Sequence, residues 1–205
     1  MKPVLMRAVA CESVFCALLL MAATAQRPPT GLTHLQLVRS ADSLSTADEE
    51  YRVKAAFIFH FAQLVDWPAE TPAGTDNSLV LCTLGEDPFQ GVLEGTIAGK
   101  AIGKRMLRIR HLGEPPEMQA CQIVFLGRAQ SKRIPMLVST LHNAPVLTVG
   151  ETADFLDAGG MIDFLTEGEK VRFEVNLAAA ESADLKIGSR LLVLAQRVVG
   201  ESHDK

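Results

Sequence analysis

Few residues in this chain have the types and spacing that chemistry requires. The clearest candidate is Gly85-Glu86-Asp87-Pro88, which ends the apolar run LVLCTL at Leu79–Leu84. A buried strand that stops at a turn and passes into a helix is where many α/β proteins hold a ligand. A phosphate loop needs glycines so that backbone N–H groups can approach the anion. Here there is one glycine, two carboxylates that would repel phosphate, and a proline without an N–H. Glu86 and Asp87 suit the start of a helix better, with Asp87 as its N-cap.

The other reactive side chains are as informative in what they lack. The five histidines (His34, His60, His111, His142 and His203) form no H-E-x-x-H or H-x-H pattern. His60 lies on a mainly apolar helix and reads as structural. There is no G-x-S-x-G elbow. Asp154, Asp157 and Asp163 gather around Gly159-Gly160 without the regular ligand spacing of a calcium loop. In KRMLRIRH, Lys104, Arg108 and Arg110 alternate with Leu107 and Ile109. That pattern fits an edge or half-exposed strand protected by charge, or a patch for an acidic partner. Arg172 and Glu174 alternate with Phe173 and Val175, which suggests an ion pair across a hairpin, and Asn176 is placed to cap a helix. The residues point to no catalytic site, metal or cofactor.

Cys82 and Cys121 depend on where the chain resides. MKPVLMRAVACESVFCALLLMAATAQ carries Lys2 and Arg7, an apolar stretch Val14–Ala23, and Ala23-Thr24-Ala25. This is the order of a secretory signal peptide, although Glu12 is unusual in it, and the stretch is shorter than the roughly 20 residues that span a bilayer. Cleavage after Ala25 removes Cys11 and Cys16, leaves an even pair in an oxidising compartment, and leaves no membrane-inserting segment. The pair sits beside LVLC and CQIVFLG, which suit neighbouring strands. A disulfide is the leading reading and two buried thiols the alternative. A metal pair lacks a histidine at ligand spacing.

The 205 residues are 48% hydrophobic and 21% charged, enough for one domain with a core. The net charge of −4 gives no basic balance for nucleic acid. The expected organisation is a signal peptide at 1–25, a linker at 26–45, one domain at 46–200 and a tail at 201–205. Thr46-Ala47-Asp48-Glu49 fits a capping box for a helix that stops before Trp67-Pro68. Its apolar residues cover an arc of about 200°, interrupted by Lys54, where a surface helix needs little more than 100°. Such a helix is either sunk between other elements or carries a face for a partner.

Strands are predicted at Leu79–Leu84, Arg105–Leu112, Gln122–Leu126 and Pro145–Val149. Helices are predicted at Asp87–Ile97, Lys132–His142 and Ala153–Ala158. This alternation implies an α/β fold with a mostly parallel sheet and helices on both faces. MIDFLTEGEKVRFEVNL reads as a hairpin that closes one edge in antiparallel fashion, followed by a helical segment at Ala178–Val199 with a possible break at Gly188-Ser189.

Five stretches in order, YRVKAAFIFHFAQLVDWP, LCTLGEDPF, CQIVFLG, AGGMIDF and KVRFEVNLAAAESADLKIGSRLL, resemble the YfiR family of periplasmic proteins over residues 48–199. The resemblance implies a non-enzymatic homodimeric regulator. It would repress a membrane-bound diguanylate cyclase by binding the enzyme's periplasmic sensor domain, lowering cyclic di-GMP and limiting biofilm, with release by redox state and envelope stress. Cys82 and Cys121 match the family's main disulfide. A second pair near the double glycine, found in some members, is absent here. Phe57, Phe61, Trp67, Glu86, Asp87, Phe89, Gly159, Gly160, Arg172 and Glu174 are the candidate interface or ligand surface. The alternative expectation is a small-ligand module serving another receptor, such as a histidine kinase, through a cleft near Gly85–Phe89 or Gly159-Gly160.

Overall fold

The sheet begins with Leu79–Leu84, six consecutive buried residues. A strand so apolar on both sides must be covered on both faces. The computed structural model describes residues 33–68 and 77–200. The signal segment, the first part of the linker and the tail lie outside them. By internal contacts, Met1–Val38 and Arg39–Lys205 are separate units, and the sheet belongs to the second.

The helices and strands follow in this order. Helix α1 spans Thr33–Leu64 and strand β1 Val65–Asp66. Next come β2 (Leu79–Leu84), α2 (Val92–Ile97), β3 (Ala101–Ile102), β4 (Arg105–Leu112) and β5 (Ile123–Leu126). Helix α3 (Ile134–Thr140), β6 (Leu147–Gly150), β7 (Ile162–Glu167) and β8 (Lys170–Asn176) continue the chain. It closes with α4 (Leu177–Ser182), β9 (Lys186–Ile187), α5 (Ser189–Leu194) and β10 (Arg197–Val199).

Eight strands lie in the order β10-β8-β7-β6-β5-β2-β4-β3, and β1 pairs with β9 apart from them. Strands β4, β2, β5, β6 and β7 are mutually parallel. The expected hairpin is the antiparallel pair β7–β8. Beyond it β10 runs parallel to β8, so the edge of the sheet is β10.

The two faces of the sheet bury two cores. Leu79 and Leu81 face a large core with Ile58, Phe61 and Ala62 of α1 and Leu93 of α2. Val80, Cys82 and Leu84 face the other way, toward Leu137 and Val138 of α3 and Phe155. Alternation at period two therefore turns Cys82 toward Cys121, which follows the 3-10 segment Pro115–Ala120. The two cysteines form a disulfide with their Cα atoms 6.1 Å apart.

Helix α1 presents Ala55, Ile58, Ala62 and, just past its end, Val65 at alternating spacings of three and four, all buried. Its last carbonyl, of Leu64, accepts a bond from Gly188 N at 2.8 Å. A Cβ at Gly188 would lie 2.8 Å from that oxygen, so only glycine allows the approach.

Several boundaries differ from expectation. Helix α1 starts at Thr33, so Thr46 lies inside it and is no N-cap. The helix expected from Asp87 begins at Val92. Pro88–Gly91 form a turn instead, with Gln90 and Gly91 at φ 51° and 86°. Asp87 serves that turn by accepting Phe89 N at 3.1 Å. Arg128–Arg133 is a 3-10 segment ahead of α3, and Ala153–Ala158 are turns. Ala178–Val199 is no single helix, because Lys186–Ile187 pairs with β1 and Arg197–Val199 joins the sheet. Asn176 does cap α4, accepting Ala179 N at 3.1 Å.

The bridge closes a sequence separation of 39 residues. The loop-entropy relation then gives about 4 kcal/mol. Replacing both cysteines by alanine should lower the unfolding free energy by about that amount in urea titrations. Protein cleaved after Ala25, which keeps only Cys82 and Cys121, should not react with a maleimide until it is reduced.

Candidate functional site

Lys54 interrupts the apolar arc of α1 and has no exposed surface. A buried ammonium requires matched acceptors. Lys54 Nζ meets Glu50 Oε1, one turn earlier, and lies 2.5 Å from Glu151 Oε2. Glu151 directly follows β6 and is itself buried. Its Oε1 accepts Tyr51 Oη at 3.1 Å and the backbone N of Arg128 at 2.9 Å. The Arg128 guanidinium reaches back to Glu50 Oε1 at 2.6 Å. Thr166 Oγ1 completes the acceptors' partners by donating to Glu50 at 3.1 Å. Two cations and two carboxylates thus balance at one place, with the Tyr51 ring 4.8 Å from Lys54 Nζ.

The place is set by topology. Strand β2 is flanked by β4 on one side and β5 on the other, so the crossovers from β2 to β4 and from β4 to β5 run in opposite directions. Crevices open outside the carboxyl ends of parallel strands at such a switch point. The loops after β2, β5 and β6 meet there. They line a cleft of about 210 Å³ with Tyr51, Glu86, Asp87, Arg128 and Glu151.

Burial raises the Glu50 carboxyl, but the Lys54 hydrogen bond and charge, followed by Arg128, outweigh it and hold Glu50 below its ordinary value. Burial together with the Glu151 carboxylate pushes the Tyr51 hydroxyl up. Asp163, only 2% exposed, is pushed up from 3.8 to about 7. Burial is the main cause. Glu174 and Glu151 add to it, and the N–H of Thr152 opposes it. Each carboxylate of the quartet is engaged by a cation and a further donor, so the group joins α1 to the sheet's loops and provides no free base or nucleophile.

The residues singled out from the sequence fall in several places. Phe61 and Phe89 are buried in the core, and Phe61 also lines the floor of an apolar groove beside Phe57 and Leu194. Phe61 packs with Phe164 and Phe173, and Phe89 lies edge-on to Phe125 at 4.8 Å. Phe57 is half-buried against Phe173 at 5.4 Å. Trp67 is half-buried and donates from Nε1 to the Gln122 carbonyl at 3.2 Å. Only Glu86 and Asp87 line the cleft.

Gly160 packs against the Phe155 ring, where a Cβ would come within 2.2 Å. Gly159 lines a separate cavity of about 330 Å³ with His142 and Asn176. Arg172 is exposed, and Glu174 pairs with Arg197 of β10 and not with Arg172. His60 is exposed beside Gln63. Sequence reasoning missed Glu50, Arg128 and Glu151. The one signal was Lys54, a charge on an apolar helix face that had to be answered from elsewhere.

A family model described as YfiR/HmsC-like matches residues 51–196. The chain belongs to that family. Its members are periplasmic regulators of cyclic di-GMP signalling. The match begins at Tyr51 and covers the charge quartet except Glu50, both cysteines and the whole eight-stranded sheet apart from β10. Among solved structures, the chain is similar to a conserved domain protein from Vibrio cholerae O1 biovar El Tor, with TM-score 0.50 and 8% identity over 70% of this chain and 59% of that one. It is also similar to an ABC domain in complex with L-Trp from Streptococcus pneumonia, with TM-score 0.45 and 11% identity over 61% and 58%. The chain thus spans less than two thirds of either structure's length. The first similarity concerns the fold alone.

Two outcomes follow from the site. Lys54→Ala leaves two carboxylates without their buried cation and should cost about 3–5 kcal/mol in chemical denaturation. Asp163 keeps a proton in the folded state that the unfolded chain releases at lower pH. Its contribution to stability is therefore full below about pH 4 and is lost as the pH rises through about 7. Asp163→Asn keeps the acceptor for Thr152 N and should flatten that decline in melting curves taken from pH 4 to pH 8.

Proposed function

We propose that the protein is a non-enzymatic periplasmic repressor, secreted through a cleaved signal peptide. As a homodimer it binds the periplasmic domain of an inner-membrane sensor, a diguanylate cyclase, and lowers cyclic di-GMP output. The family match over residues 51–196 carries this reading.

The surface offers a place for such contact. Val193 and Leu194 of α5 are 84% and 65% exposed. Leu194 borders an apolar groove with Phe57, His60 and Leu64 of α1. Phe57 and Leu64 are half-buried there, packed against the core on one side. Among the described residues no helix is long and apolar enough to cross a membrane.

A second reading is favoured by the cleft at the switch point, which opens where small ligands enter α/β folds. In it the protein senses an envelope metabolite for another receptor, such as a histidine kinase.

The two separate by experiment. Deleting the gene should raise cyclic di-GMP, and purified protein should bind the periplasmic domain of the cyclase directly. Leu194→Asp should weaken that binding about tenfold or more with an unchanged melting temperature, since an exposed substitution leaves the core intact. Unchanged cyclic di-GMP on deletion, with no binding to the cyclase domain, would refute repression and leave the ligand module.

A further inference from the structure

A cluster outside the charge quartet brings together three groups that no sequence motif connects. Asp87 lies in the loop after β2, Glu94 on α2 and His111 near the end of β4. One ligand atom from each lies within 4.8 Å of the others. Ligands at about 2.0–2.2 Å from a tetrahedral cation lie well inside that separation, so modest side-chain movement closes the triad on an ion.

We propose that Asp87, Glu94 and His111 bind a divalent first-row transition cation, with Zn²⁺ the best match for one imidazole and two carboxylates.

Two further observations support the site. Thr83 and His111 stand opposite one another in the parallel ladder β2–β4. Thr83 is buried, and its Oγ1 lies 2.7 Å from His111 Nδ1. That contact fixes the ring so that Nε2 points at Glu94 Oε1, 2.7 Å away. A metal-bound histidine is commonly held through its other nitrogen in this manner.

The threonine hydroxyl can serve either state. Without an ion it donates to Nδ1, and Nε2–H donates to Glu94. With an ion it accepts from Nδ1–H, and Nε2 offers its lone pair to the metal. The second observation is Glu94 Oε2, which is shielded from solvent and has no hydrogen-bond partner among the described residues. That one oxygen is shielded although the Glu94 side chain is 40% exposed, and a cation would give it a partner.

Asp87 is already oriented, because its Oδ1 accepts Phe89 N at 3.1 Å and leaves the other oxygen for a ligand bond. His111 is exposed and Glu94 and Asp87 are half-buried, so one side of the site stays open. Three protein ligands with an open fourth position make an exchangeable site, in contrast to the closed four-ligand structural type. The ion would tie the β2–α2 loop to β4, and Asp87 also lines the switch-point cleft. Cation binding would therefore fix one wall of that cleft.

The test is a calorimetric titration of Zn²⁺ into the purified full protein after dialysis against a chelator. One ion per chain with a dissociation constant at or below about 10 μM is expected, together with a higher melting temperature in excess Zn²⁺. His111→Ala and Glu94→Gln should each weaken binding at least about tenfold. His142→Ala, away from the triad, should not. X-ray absorption of the Zn²⁺-loaded wild type should show one imidazole among oxygen ligands, which keeps the test valid if a variant fails to fold. Absence of saturable binding would overturn the site. So would stoichiometric binding that survives both ligand substitutions, or a coordination shell without a single imidazole. None of these results depends on the regulatory reading.

Discussion

Lys54 lies under α1 with no surface in water, and the architecture around it is arranged to answer its charge. Removing an ammonium from water costs several kcal/mol unless good acceptors replace the lost hydration. Glu50 supplies one from the same helix and Glu151 the other from the carboxyl end of β6. Arg128, at the end of β5, balances the second carboxylate. The helix is therefore held over the sheet in one register, because sliding by a turn would leave Lys54 and Glu151 buried apart. Apolar packing alone would tolerate a wider range of positions. In this fold the ion cluster fixes the position, and the aromatic group of Phe57, Phe61, Phe164 and Phe173 packs around it.

The disulfide acts on the opposite face. Alternation along β2 sends Leu81 into the core under α1 and Cys82 into the core under α3. The bridge to Cys121 thus ties β2 to the segment that leads into β5, its neighbour in the sheet. The two devices constrain the same central strands from different sides, one through charge and one through a covalent bond. That arrangement suits a small secreted domain in an oxidising compartment, where a bridge persists. It also leaves α5 and the outer flank of α1 with few obligations to the core. That is where the exposed apolar residues Val193 and Leu194 are found.

The switch-point cleft, bordered by the charge quartet and the Asp87 loop, lies at the ends of the strands. The apolar groove lies along α1 and α5. Both include residues of α1, so a change in the seating of that helix would reach both. Tyr51 and Phe57 stand on the same helix, one at each location.

The sequence by itself determined the elements whose signal is local. The apolar run of β2, the period of β4, the hairpin about Glu167-Gly168-Glu169-Lys170, the stop before Trp67-Pro68 and the Asn176 cap all follow from residues within a few positions of each other. The cysteine pair was legible because compartment and strand context limited its options. What only the tertiary structure decided are the relations between residues distant in the chain. Glu50 and Glu151 look like ordinary surface acids until the topology brings both to Lys54. Glu174 finds Arg197 instead of Arg172 because β10 returns beside β8. Phe61 and Phe89 read as surface candidates until the two layers closed over them. His111 gains Asp87 and Glu94 only through the placement of α2 beside β4. The physical reason is the same in each case. Propensity and periodicity act over one or two turns, whereas a charge or a cavity is satisfied by whatever the fold places next to it.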